Sequence, residues 1–174
     1  MSPIWRRERS PIRVERGERL LAEAAGAEAH LGGTRDALYV LRRRGGGSFE
    51  LAETLRIPWE EVQSADWDQE ASVLRVTEVG SWGEVRPEHR VTIDAPGLLL
   101  ELVRERVTAS VVLQRHVPVA GRRGVRVVAR RAPRGDQPVQ WLYEYDEGVD
   151  PDDPAVRRAA EEALEAARAE VGSE

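Results

Sequence analysis

Cysteine and lysine are both absent from the 174 residues, and all 26 basic side chains are arginine. Without cysteine there are no disulfides, thiolate metal sites or cysteine nucleophiles, and the composition fits a reducing, cytoplasmic setting. Long apolar runs are missing as well. The most apolar segment, residues 98–117, is interrupted by Glu101, Arg104, Glu105, Arg106 and Arg115, so no membrane-spanning helix is expected. The first residues, MSPIWRRERSPIRVERGERLL, carry no apolar core of a signal peptide. Arginine enrichment alone does not point to nucleic acid. The composition is also rich in Ala, Gly and Val, as a GC-rich coding sequence produces, and the net charge of −5 opposes phosphate binding. A soluble chain of this length is expected to form one domain, or one domain with an appendage, burying roughly two thirds of its unfolded surface.

Residues 56–79, RIPWEEVQSADWDQEASVLRVTEV, are the most informative stretch. Two alternating apolar runs flank a turn, which predicts consecutive antiparallel strands. Further strands are expected at 20–25, 27–32, 36–42, 49–57 and 89–93. Gly45-Gly46-Gly47 supplies a reversal, and Pro58 marks an edge or a break. Asp94 and Pro96 read as a helix start. Leu99, Leu102, Val103, Val107, Ser110, Val111 and Gln114 follow at helical spacing, and Pro118 ends the run. The pairs Val107-Thr108 and Val111-Val112 weaken the helix locally, but docking of each buried Leu or Val at about 1.5–3 kcal/mol outweighs that. Beyond it, 125–129 and 139–145 predict a hairpin, and Asp150-Pro151-Asp152-Asp153-Pro154 precedes a final Ala- and Glu-rich helix over 155–171.

The fold class expected is α+β: a strongly bent antiparallel sheet closed by one amphipathic helix, with a C-terminal hairpin and helix. Its divisions are a flexible arm at 1–16, the sheet and capping helix at 17–117, and an extension at 118–174. The segments GERLL, GTRDALYVL, IPWEEV and LRV, followed by the amphipathic helix, resemble in this order the bacterial pleckstrin-homology-like (PH-like) domains over about residues 17–117. The whole chain also resembles actinobacterial conserved proteins of unknown function. The PH-like resemblance implies a seven-stranded, bent sheet or barrel plugged at one end by the helix. The lysines usual in a phosphoinositide site have no counterpart here.

Chemistry-bearing patterns are few. His30, His89 and His116 are scattered without partners at ligand spacing, so no metal and no cofactor are expected. No serine lies in a nucleophile-elbow motif. The acid pairs Glu60-Glu61 and Asp66-Asp68 read as solvated strand ends, and the chain is expected to be non-enzymatic. Only a deep pocket converging on Glu53, Asp66, Asp68 or His89 would restore an enzyme. Two arginine clusters are candidate anion sites: Arg42, Arg43 and Arg44 before the glycine turn, which lack the Gly-Lys-Ser/Thr ending of a P-loop and for which a solvated hairpin tip is the favoured reading, and Arg122, Arg123, Arg126, Arg130, Arg131 with Arg134. The second is weighed against internal pairing with the acidic 144–170 segment, within a stretch from residue 135 onward that holds twelve acids and three arginines. Internal pairing is the favoured reading. Trp141, Tyr143 and Tyr145 are candidates for an interaction surface or for packing between hairpin and helix. Trp59, Trp67 and Trp82 are expected as core or semi-core anchors rather than ligand-stacking residues. The expected function is a protein-interaction or scaffold module with a protein partner. The alternative is binding of anionic lipid or RNA through the arginines.

Overall fold

Alternating apolar residues sort ten strands, among the residues described, into three antiparallel sheets accompanied by two helices. The structure, a computed structural model, describes residues 10–43, 53–80 and 85–172. The chain divides into two compact units, Met1–Glu105 and Arg106–Glu174.

In the first unit, β1 (Ala22–Ala25), β2 (Ala29–Gly33), β3 (Ala37–Arg42) and β4 (Thr54–Pro58) pair in sequence order. Both faces of β3 are buried. Tyr39 and Leu41 pack with Ala37 on Ile12, flanked by Val14 and Leu20, while Leu38 and Val40 on the other face stand opposite Ile57 and Leu55. Residues 1–9 of the expected arm lie outside the described residues, and from residue 10 onward the segment lies on this sheet through Ile12. The strand expected at 49–57 is described from Thr54; Phe49 and Leu51 lie outside. Pro58 ends β4 and leads into a single 3-10 turn, Trp59–Glu61. Trp59 is fully buried, and its Nε1–H donates to Thr34 O at 3.1 Å.

β5 (Val62–Asp68), β6 (Val73–Glu78) and β7 (Glu88–Thr92) form the second sheet. Leu74, Val76 and Val91 share its buried face with His89, which stands directly opposite Val76. The two sheets meet where the Gly26 turn abuts Thr92 and where Arg42 donates to Arg90 O. Among the described residues their strands form separate sheets rather than one closed hydrogen-bonded ring.

The helix α1 (Leu99–Ser110) starts three residues after Pro96, because Gly97 adopts φ +50° and turns the chain first. Leu99, Leu102 and Val103 are buried, and Leu99 and Leu102 press on Gly33 of β2. The expected continuation through Val111 and Gln114 is corrected: α1 ends at Ser110, and Val111–Ala120 is the strand β8. Val111, Leu113, Arg115, Val117 and Val119 are all half-buried at alternate positions, so the two-residue period prevails over the helical one.

In the second unit, the boundary having fallen inside α1, β8 pairs with β9 (Arg123–Arg130), and β9 with β10 (Gln140–Tyr145). The expected hairpin is thus β9–β10, widened by a third strand. α2 (Pro154–Val171) lies on this sheet, its small residues Ala163 and Ala167 against Val127. No helix among the described residues is long and apolar enough to cross a membrane.

Candidate functional site

The first arginine cluster sits at the end of β3. Arg42 is exposed, and its Nη2 donates to Arg90 O of β7 at 3.4 Å. Arg43 follows, anchored by its own N–H to Glu28 O at 2.9 Å. Arg44 and the glycine turn lie outside the described residues. Beside Arg42 and Arg43 opens a groove of about 470 Å³. Val40 and Leu55, cross-strand partners, contribute its apolar surface, with Glu53, Thr54, Arg56 and His89 completing the lining. Arg56 is already engaged: its guanidinium bonds Glu18 at 2.6 Å and Tyr39 Oη at 3.2 Å, with Glu15 at 3.5 Å. Burial pulls this guanidinium down, but Glu18 and Tyr39 hold it above its ordinary value. Burial likewise raises the Tyr39 phenol. Thr34 Oγ1 donates to the other Glu18 oxygen at 2.5 Å and accepts from the Asp36 and Ala37 N–H groups. This Glu18–Arg56–Tyr39–Thr34 network pins the segment before β1 onto the first sheet. Sequence reasoning missed it, because its members are 5 to 38 residues apart in a chain full of acids and arginines.

The members of the second cluster differ in exposure. Arg122 and Arg123 are exposed at the β8–β9 turn. Arg126 pairs with Glu144 on the neighbouring strand at 3.4 Å. Arg130 is 4% exposed and donates to Ser110 Oγ at 3.0 Å. Burial draws its guanidinium below its ordinary value, with Glu144 pulling the other way. Arg131 is half-buried, its N–H bonded to Ser110 O. Arg115 pairs with Glu170 of α2.

Strand register also decides the aromatic trio. Tyr143 stands opposite Val127, so Trp141, Tyr143 and Tyr145 share the sheet face on which α2 lies. Trp141 packs against the cluster of Val127, Ala163 and Ala167 and takes the Arg168 guanidinium over its ring at 5.9 Å. Tyr145 is half-buried; Tyr143, 6.2 Å from it, is at the margin of exposure. Burial raises both phenols.

Each histidine meets a carboxylate: His30 with Glu23 at 3.1 Å, His89 with Glu78 at 2.5 Å, His116 with Asp146 at 2.9 Å. Asp146 also accepts from Gly124 N–H at 2.8 Å. The His116 hydrogen bond, then that of Gly124, holds its carboxyl below the ordinary range. Among the described residues no three of His, Asp and Glu are grouped as a metal would require. Asp66 and Asp68 are exposed, Asp66 accepting from Ser64 Oγ at 3.3 Å and Asp68 capping the next turn through Ala71 N–H. Trp67 is half-buried opposite Leu74, and Trp82 lies outside the described residues. No protein-family model and no curated protein matches this chain.

Proposed function

We propose that the first unit is a PH-like binding module, a curled antiparallel layer plugged by the start of α1, and that the chain is a non-enzymatic cytoplasmic interaction or scaffold protein with a protein partner. One observation carries this reading: among the described residues seven antiparallel strands, split four and three, precede a helix whose Leu99 and Leu102 press on β2. A bent sheet plugged in this way presents edges and loops for recognition without needing a catalytic constellation. The second unit is then an accessory element.

The test is affinity capture with the whole chain from cells that make it, at low and high salt, beside a screen for metabolite turnover. A protein retained at high salt in stoichiometric amount supports the module. Turnover of a defined metabolite, abolished by replacing one polar groove residue, replaces it with an enzyme. Capture of an anionic ligand is the second reading, and the exposed guanidinium of Arg42 beside an open groove favours it.

A further inference from the structure

We propose that the groove between β3, β4 and β7 binds a small organic anion, its phosphate or carboxylate head held by Arg42 beside Arg43 and its apolar body lying over Val40 and Leu55. This deepens the anion reading by naming the ligand class and does not depend on the PH-like assignment.

A volume of about 470 Å³ lies within the range of small-molecule sites. The chemistry of the lining divides in two. Leu55 is 38% exposed although Val40 opposite it and Ile57 beside it are buried, so an apolar surface faces the open groove. At the end of the same strand face stands Arg42. Among the described residues its guanidinium makes one hydrogen bond, to the neutral Arg90 carbonyl, leaving donors of its planar fork for a doubly accepting oxyanion. The other polar walls are occupied. His89 is matched by Glu78, and the Arg56 guanidinium is held by Glu18 and Tyr39 on the opposite face of the sheet, so neither competes for the head group. Among the described residues Glu53 is the one acid lining the groove, and its repulsion limits the affinity for any anion.

Amide NMR of the whole chain titrated with phenyl phosphate and with benzoate tests this, with inorganic phosphate and neutral benzyl alcohol as comparisons. Saturable shifts of Val40, Arg42, Leu55, Arg56 and His89 with both aromatic anions, absent with benzyl alcohol, are expected. Arg42→Gln, at an exposed position, should preserve the spectrum and weaken phenyl phosphate by about tenfold or more. Leu55→Ser should weaken the aromatic anions and leave inorganic phosphate unchanged. Glu53→Gln should tighten binding and serves as the readout if Arg42→Gln does not fold. Co-sedimentation with phosphatidylcholine vesicles containing phosphatidic acid, beside phosphatidylcholine alone, assigns the head to a lipid. Binding in solution without sedimentation assigns it to a soluble metabolite. No saturable shift in the groove, or undiminished binding by a folded Arg42→Gln chain, overturns the proposal.

Discussion

A Cβ at Gly26 would lie 1.8 Å from Thr92 O, and one at Gly124 would lie 1.9 Å from Val117 O. Both obstacles are backbone, which cannot rotate aside as a side chain can. Gly26→Ala and Gly124→Ala should therefore each cost about 3 kcal/mol or more, read as a fall in the urea midpoint. Glu18 is a different case, since its side chain is 5% exposed and holds Arg56 and Thr34 together. Glu18→Ala leaves a partly buried guanidinium short of its anion, and a loss of about 2 kcal/mol is expected in the same measurement. Asp146 carries a pH signature. Its carboxyl is held below the ordinary range by His116 and Gly124, so the folded chain gives up this proton more readily than the unfolded one. The stabilisation is complete above the unfolded value, near pH 4, and disappears as pH falls through the folded value. Asp146→Asn should lower Tm near neutrality, and the two Tm curves should converge below about pH 4. A constant gap across the acid range would remove Asp146 from this role.

At the scale of elements, α2 and β8 teach opposite lessons. Everything that starts α2 is written locally: Asp153 Oδ1 accepts from Ala155 N–H at 2.7 Å, and Pro154 occupies the first turn. Asp153→Ala should cost about 1 kcal/mol by urea denaturation. The same helix carries Ala163 and Ala167 where it meets Val127, and Ala167 is fully buried. Ala167→Leu would overpack that seam, with a loss of about 1–3 kcal/mol. β8 was not legible in this way. Val107, Ser110, Val111 and Gln114 satisfy a helical spacing, while Val111, Leu113, Arg115, Val117 and Val119 satisfy a strand spacing equally well. The choice is made by β9, whose residues from Arg123 to Arg130 pair with β8 along most of its length, and no local pattern announces a partner that arrives later in the chain. β8 is also a sheet edge, and its two register shifts, with Pro118 at one, limit pairing with a further strand.

At the scale of the whole molecule, strand order in the first unit was readable because each strand pairs with a sequence neighbour and β4, β5 and β6 alternate apolar with polar residues, while β3 is apolar on both faces. The candidate sites were readable only as residue types. Nothing in the sequence separates Arg42, exposed beside a groove, from Arg130, buried under Ser110, since each lies at the end of an apolar strand. That difference has a measurable consequence for polyanions. Of the six arginines between 122 and 134, Arg122, Arg123 and Arg134 are exposed, whereas Arg126 faces Glu144 and Arg130 is buried. A single-stranded RNA contacting those three exposed guanidinium groups would show log K falling with log salt at a slope of about −2. Engagement of all six requires a slope of about −4. Anisotropy of a labelled uridine oligonucleotide across a salt series measures this slope. Any binding through this cluster should give the shallower value, and Arg122→Ser with Arg123→Ser should flatten it further, whereas Arg126→Ser should leave it unchanged. A steep slope that Arg126→Ser reduces would mean that the ion pair with Glu144 opens to phosphate, and the charge of β9 would then belong to a ligand rather than to the fold.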